Sequence, residues 1–247
     1  VLFVTVSHRA KRAVRLVVLL VLLLGIARLG LAVTTGELAV MGRLEPIRKV
    51  PGVQDKVALT FDLSWGEVMP PKVLAVLREY GLKCTFFLSG PWAASHPDLV
   101  AAIVKDGHEI ASHGYRHVNM STLTKEAIED NIRRAHEAIK AASGQEPRLL
   151  RPPNGDYNDL VIQTAESLGY KVIDWGLDSH DWMNPGVSYI VRRVLDRVQP
   201  GDIILMHASD TCKQTDQALP GIIEGLASRR LVVVTVSELL AATGSGK

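Results

Sequence analysis

From Lys56 onward, short apolar runs alternate with longer stretches in which apolar residues recur every three or four positions. The runs VALTF (57–61), CTFFLS (84–89), HEIAS (108–112), RLLR (148–151), KVIDWG (171–176), DIILMH (202–207) and LVVVTV (231–236) have the length of strands buried on both faces. Between them, PPKVLAVLREY, HPDLVAAIVKDG, TKEAIEDNIRRAHEAIKAAS, NDLVIQTAESLG, VSYIVRRVLDRV and DQALPGIIEGLASR carry the helical period. Several helices stop at a glycine (Gly81, Gly107, Gly144, Gly169), which accepts the left-handed backbone of a helix end. Repeated strand-helix units imply parallel strands with crossover helices. About seven strands predict an α/β domain of (β/α) barrel type over 55–241, with a short tail at 242–247.

The pattern before residue 55 is different. Basic residues between His8 and Arg15 precede an apolar stretch from Leu16 to Ala27, then Arg28, then further apolar residues to Val33. Interrupted by Arg28, the stretch is short for a membrane span but suits a secretory signal peptide or a signal anchor over 1–33. Gly30, Leu31 and Ala32 offer a small-residue cleavage site. The basic flank predicts an exported chain whose only membrane contact is this segment. Residues 34–54 have no clear period and read as a stem.

Composition narrows the class. Of 247 residues, 47% are hydrophobic and 22% charged, as in globular proteins, and the net charge of +2 gives no electrostatic reason to bind nucleic acid. The two cysteines have no spacing that argues for a disulfide; Cys84 reads as a buried strand thiol and Cys212 as a free loop thiol. A monomer is expected.

In barrels of this kind chemistry gathers on the loops that follow the strands. Here those positions hold Asp62, the stretch SHGYRH with His113 and His117, Arg151 in RPPNGDYN, Asp181 and Trp182 in DSHDW, and His207. His113 and His117, four apart on a helix or tight turn, could present both imidazoles to one divalent ion, or they could be ordinary loop histidines. Asp62 could cap a helix or serve as a general base, which requires that it stay ionised. Arg151 could hold such a carboxylate in its planar fork. Asp181 could orient His207 and keep it protonated. Trp182 and Leu205 offer apolar surface for a sugar face or an acetyl methyl, or they simply fill the core.

Taken in order, TFDLSWG, FFLSGPWAASHPDLV, LLRPPNGDYN, NPG and LMHASDT resemble the polysaccharide deacetylases, the NodB homology or carbohydrate esterase family 4 group, and within it a sporulation-associated, PdaB-like branch. The resemblance runs from about Lys56 to Leu240. It implies a distorted (β/α) barrel, a divalent metal, usually zinc, and hydrolysis of N-acetyl groups on amino sugars, here of peptidoglycan. It also implies roles: Asp62 as base, His113 and His117 as metal ligands, Arg151 as the clamp on the base, the Asn154 amide in the oxyanion hole, Asp181 and Trp182 as the fourth motif, and Leu205 and His207 as the fifth, with His207 as general acid.

One position departs. The family's first motif carries a metal-ligand Asp directly after the base, and this chain has Leu63 there. A leucine cannot ligate. Three outcomes stay open: Asp62 ligates in its stead, water or Ser64 fills the gap, or the site binds no metal and the protein is a catalytically weak or inactive glycan-binding protein.

Overall fold

A computed structural model describes residues 17–24, 26 and 43–242. Residues 17–24 and 26 are helical, and the proposed cleavage site and most of 1–33 lie outside the described residues. Among the described residues no helix is long and apolar enough to cross a membrane. The chain divides into a unit over 1–43 and a second unit over 44–247.

The second unit is built on a curled parallel sheet. Its strands are β1 (Lys56–Leu63), β2 (Thr85–Leu88), β3 (Glu109–Ser112), β4 (Leu149–Leu150), β5 (Lys171–Val172), β6 (Leu177–Asp178), β7 (Ile203–His207) and β8 (Val232–Val234). Seven of them run in the order β5-β4-β3-β2-β1-β7-β6, and β8 pairs with the first three residues of β1. The half-barrel with flanking helices agrees with the fold expected from the alternating pattern. KVIDWG, expected as one strand leading into a helix, is instead cut short: β5 ends at Val172 and a second short strand, β6, follows Gly176. A Cβ at Gly176 would lie 2.9 Å from the Arg48 carbonyl oxygen, so the close approach there needs a glycine.

That approach is made by residues expected to form a stem. Ile47 bridges Ile173 in parallel and Lys49 bridges Asp202 antiparallel. The Ile47 amide donates to Val172 and the Asp174 amide to the Ile47 carbonyl, both at 2.9 Å. From Leu44 to Val53 the chain is therefore a strap on the barrel, reaching from β5 to the start of β7.

The strand period of two assigns each residue of β1 to a side. Val57, Leu59, Phe61 and Leu63 pack into the layer under the helices, against Val73, Leu77, Leu88 and Ile222 among others. Ala58 faces the barrel interior with Phe87, Ala111 and Ile173. Thr60 and Asp62 share its phase, so β1 ends with one carboxylate turned inward and one leucine turned outward.

Candidate active site

The mouth of the barrel is set by strand register. Asp62 pairs with His207 across β1 and β7. Ser112 pairs with Leu150 across β3 and β4, which places His113 and Arg151, the next residues, at the same level. The His113 amide donates to the Leu88 carbonyl at 2.8 Å and the Arg151 amide to the Ser112 carbonyl at 2.9 Å. Four strands thus deliver Asp62, His113, Arg151 and His207 to one end of the sheet.

Arg151 is fully buried, with its guanidinium 4.0 Å over the Phe87 ring. Its Nη1 donates to Asp62 Oδ1 at 2.7 Å and its Nη2 to the Asp174 carbonyl at 3.3 Å. Burial alone would push the Asp62 carboxyl up. The Arg151 charge and hydrogen bond, with the imidazoles of His113 and His207, outweigh it and hold the group below the ordinary carboxylate range. Asp62 is therefore an ionised, fixed carboxylate.

His207 is held from the other side. Its Nδ1 donates to Asp181 Oδ1 at 2.8 Å, and its backbone amide donates to Asp181 Oδ2 at 2.8 Å. Thr215 Oγ1 donates to the same oxygen at 2.7 Å. Burial lowers the His207 pKa, but the hydrogen bond and charge of fully buried Asp181, with Asp62, more than reverse this, and the imidazole stays protonated to higher pH than usual.

His113 and His117 do not lie on a helix or in a tight helical turn. His113 follows β3 and is buried, while His117 is exposed on the loop beyond it. Their rings meet edge to face with centroids 5.3 Å apart. His113 Nδ1 donates to the Arg151 carbonyl at 2.9 Å, which leaves Nε2 free toward the pocket. Burial pushes the His113 pKa down to about 4.

These groups line a pocket of about 480 Å³ that also takes in Asn154, Trp182 and Leu205. Arg151 and Asp181 stand behind its wall. Asn154 sits at φ 60°, ψ 10°, a left-handed conformation that asparagine adopts more readily than most residues, and its side chain donates to Asn119 Oδ1 at 2.8 Å. Trp182 is 51% exposed on the rim, with Nε1 bonded to Asp178 Oδ2 at 3.2 Å, whereas Leu205 is nearly buried in the floor.

The pocket includes residues that the sequence reading passed over. Trp65, 44% exposed, packs edge-on against His117 at 5.1 Å and donates from Nε1 to Thr211 Oγ1. Trp175 also lines it, beside Ser64, Asp178 and Cys212, which the sequence had already brought into view. Trp65 and Trp175 lie within a few residues of strand ends, so the rule that found Asp62 would have reached them had it been applied to aromatic residues. Cys212 is a free loop thiol as expected, but it is buried, and burial pushes its pKa up to about 12.

The resemblance implies a divalent ion, and part of the donor set suits one. Asp62 Oδ2 and His113 Nε2 are 3.6 Å apart. Two donors each about 2.0–2.1 Å from one tetrahedral ion lie roughly 3.3–3.4 Å apart, so this pair fits. Leu63 contributes nothing, being packed in the outer core. His117 stands farther out: among the described residues only Asp181, His207 and Cys212 have three donor atoms all within 4.8 Å of one another. Those three fit an ion less well, because both Asp181 oxygens and His207 Nδ1 are already hydrogen-bonded to each other and to Thr215, and the thiol is protonated. His113 and Asp62 form the better pair, with the His117 ring edge-on to His113 at 5.3 Å between centroids.

A family model for polysaccharide deacetylases matches residues 49–173. Among curated proteins, the peptidoglycan-N-acetylglucosamine deacetylase of Bacillus cereus is 37% identical over 195 residues, 78% of this chain and 91% of that protein. The uncharacterized protein YlxY of Bacillus subtilis is 34% identical over 196 residues, 79% of this chain, which spans 60% of that relative's length. Among solved structures, a CE4 family pseudoenzyme from Bacillus anthracis superposes with TM-score 0.75 at 32% identity, covering 79% of this chain and 69% of that one. A mutant of it described as having restored enzymatic activity gives the same TM-score at 34% identity, covering 79% and 71%. The chain belongs to the polysaccharide deacetylase family.

Proposed function

We propose that this site hydrolyses N-acetyl groups on amino sugars of a cell-wall polysaccharide, with peptidoglycan as the substrate, outside the cytoplasmic membrane. The observation that carries the reading is the pairing of two opposite proton-handling groups on neighbouring strands. Asp62 is held ionised by Arg151, and His207 is held protonated by Asp181, across one pocket. A base and an acid set apart by their surroundings are what amide hydrolysis requires.

Asp62 takes a proton from the attacking water, and His207, through its free Nε2, gives one to the departing sugar amine, so that acetate and a free amine leave. A divalent ion held at His113 and His117 would polarise the acetyl carbonyl and acidify the water. The Asn154 amide supports the developing oxyanion. Trp182 provides a face for the sugar ring, and Leu205 a floor for the acetyl methyl.

The substrate assignment is supported by the name of the Bacillus cereus relative. Export is supported by the basic and apolar pattern over 1–33, and a role in sporulation by the resemblance to that branch. A second reading, a glycan-binding protein with little or no catalysis, is favoured by Leu63, and a relative described as a pseudoenzyme belongs to the same fold.

Acetate release from N-acetylated peptidoglycan, with added zinc and with a chelator, separates the two. Zinc-dependent release that His207→Ala abolishes supports the hydrolase. Glycan binding by folded protein without release under either condition supports the second reading and removes the first.

A further inference from the structure

Three features of the pocket converge on one carboxylate. First, the outward phase of β1 commits Leu63 to the core with Leu88 and Trp92, so that side chain cannot be turned to the mouth without vacating a packed position. Second, Asp62 uses only Oδ1 on Arg151, and its Oδ2 faces His113 Nε2 at 3.6 Å. Third, because His113 Nδ1 donates to the Arg151 carbonyl, its Nε2 presents a lone pair. Two lone-pair atoms therefore face each other at a spacing too long for a hydrogen bond and close to that of two ligands on one ion.

We propose that in this chain Asp62 is itself a metal ligand, sharing the ion with His113 in place of the carboxylate that Leu63 removes. The inference deepens the proposed hydrolase, for which it names a restraint. The carboxylate that should take the water's proton is drawn onto the ion, and the two tasks compete for one oxygen. The chain then binds a metal yet turns over slowly. Placing a second carboxylate at position 63 would return Asp62 to the water.

The test is a titration of the full chain with Co2+, read by calorimetry and by the visible absorption of the bound ion. Asp62→Asn is expected to weaken Co2+ binding at least tenfold and to change the visible bands, whereas Cys212→Ser leaves both as they were. In a Leu63→Asp background, Co2+ binds at least tenfold more tightly, and adding Asp62→Asn no longer costs affinity. The proposal is overturned if Asp62→Asn binds Co2+ as the unaltered chain does, if Ser64→Ala carries the loss instead, or if Cys212→Ser does.

Should Asp62→Asn fail to fold, a crystal of the unaltered chain soaked in Co2+ decides the matter. An Asp62 oxygen at about 2.0–2.2 Å from the ion supports the proposal, and an ion bound by both histidines with Asp62 out of contact overturns it. None of these readouts depends on acetate release. Metal binding as described without hydrolysis sinks only the enzymatic reading, and hydrolysis with Asp62 off the metal sinks only this one.

Discussion

Arg151→Met is the most informative single change at the clamp. Methionine keeps much of the apolar stem that packs against Phe87, but it removes the cation that Asp62 faces at 2.7 Å. Asp62 is almost fully buried, so an unpartnered charge is left in the interior. Breaking a buried pair from one side costs about 3–5 kcal/mol. For a domain of this size each kcal/mol lowers Tm by roughly 2–4 °C, which gives a fall of about 6–20 °C at pH 7.

The sign with pH is also fixed. In the unaltered chain the Asp62 pKa is depressed, so its contribution is present above the unfolded carboxylate value and is lost as pH falls through the folded one. In Arg151→Met, burial acts unopposed by the guanidinium and raises the folded pKa above the unfolded one. Protonation then favours the folded state, and the deficit relative to the unaltered chain narrows as the solution is acidified. Removing both partners in Asp62→Asn with Arg151→Met should recover most of the loss, because neither charge is then stranded. Thermal and denaturant melts from pH 7 to pH 4 with chelator present measure all three proteins. A loss under about 1 kcal/mol at pH 7 with no pH dependence would refute the reasoning, since it would mean that the Asp62 charge is solvated or already neutral.

Asp181→Asn keeps the shape behind His207 but removes the charge that raises its pKa, so the imidazole should titrate at lower pH; an NMR titration of His207 that does not move would exclude the pairing. Asp210 accepts from the backbone amides of Glu67, Val68 and Met69 at the start of the helix Met69–Glu79, which has no side-chain cap of its own, and Asp210→Ala should cost about 1–2 kcal/mol, a Tm fall of roughly 2–8 °C. A change within 1 °C would show that water serves those amides equally well. Burial holds His108 and His113 neutral, with pKa values pushed down to about 4. The unfolded imidazoles take protons first as pH falls, so stability is complete above about pH 6.5 and declines toward pH 4. His108→Gln should flatten part of that decline, and an unchanged slope would mean that His108 is protonated in the folded chain.

The site was legible because a parallel sheet sends every strand's end to one mouth, so reading the residues after each apolar run collects groups far apart in sequence. Asp62, His113, Arg151 and His207 came together on that rule alone. Position-specific periodicity does not reach interactions that depend on distant partners. The strap at 44–53 has no period because it joins the sheet by two isolated bridges, and β6 is only two residues long. Asp210 reads as an ordinary polar loop residue, and its cap on a helix about 140 positions earlier rests on Gly66, whose φ of +89° brings the loop against it where a Cβ would lie 2.2 Å from Asp210 Cγ.

Leu63 is the instructive case, since its meaning lay in the strand's own alternation. In V-A-L-T-F-D-L the odd positions face the helices and the even ones the barrel, so a residue directly after Asp62 belongs to the outer face for as long as β1 continues. A ligand at 63 has to leave that phase, turning its side chain over the strand end toward the ion. A leucine gains nothing by doing so and about 1.5–3 kcal/mol by staying buried. The substitution therefore both removes a donor and stabilises the strand end in the conformation that points away from the site. A restoring aspartate at 63 would have to reverse both. Leu63→Asp without metal should be less stable than the unaltered chain by several kcal/mol, as a carboxylate in that core would be, and zinc should return much of the loss by drawing the side chain to the mouth. Melting Leu63→Asp with and without zinc checks this, and a variant equally unstable in both would mean that the strand end cannot turn.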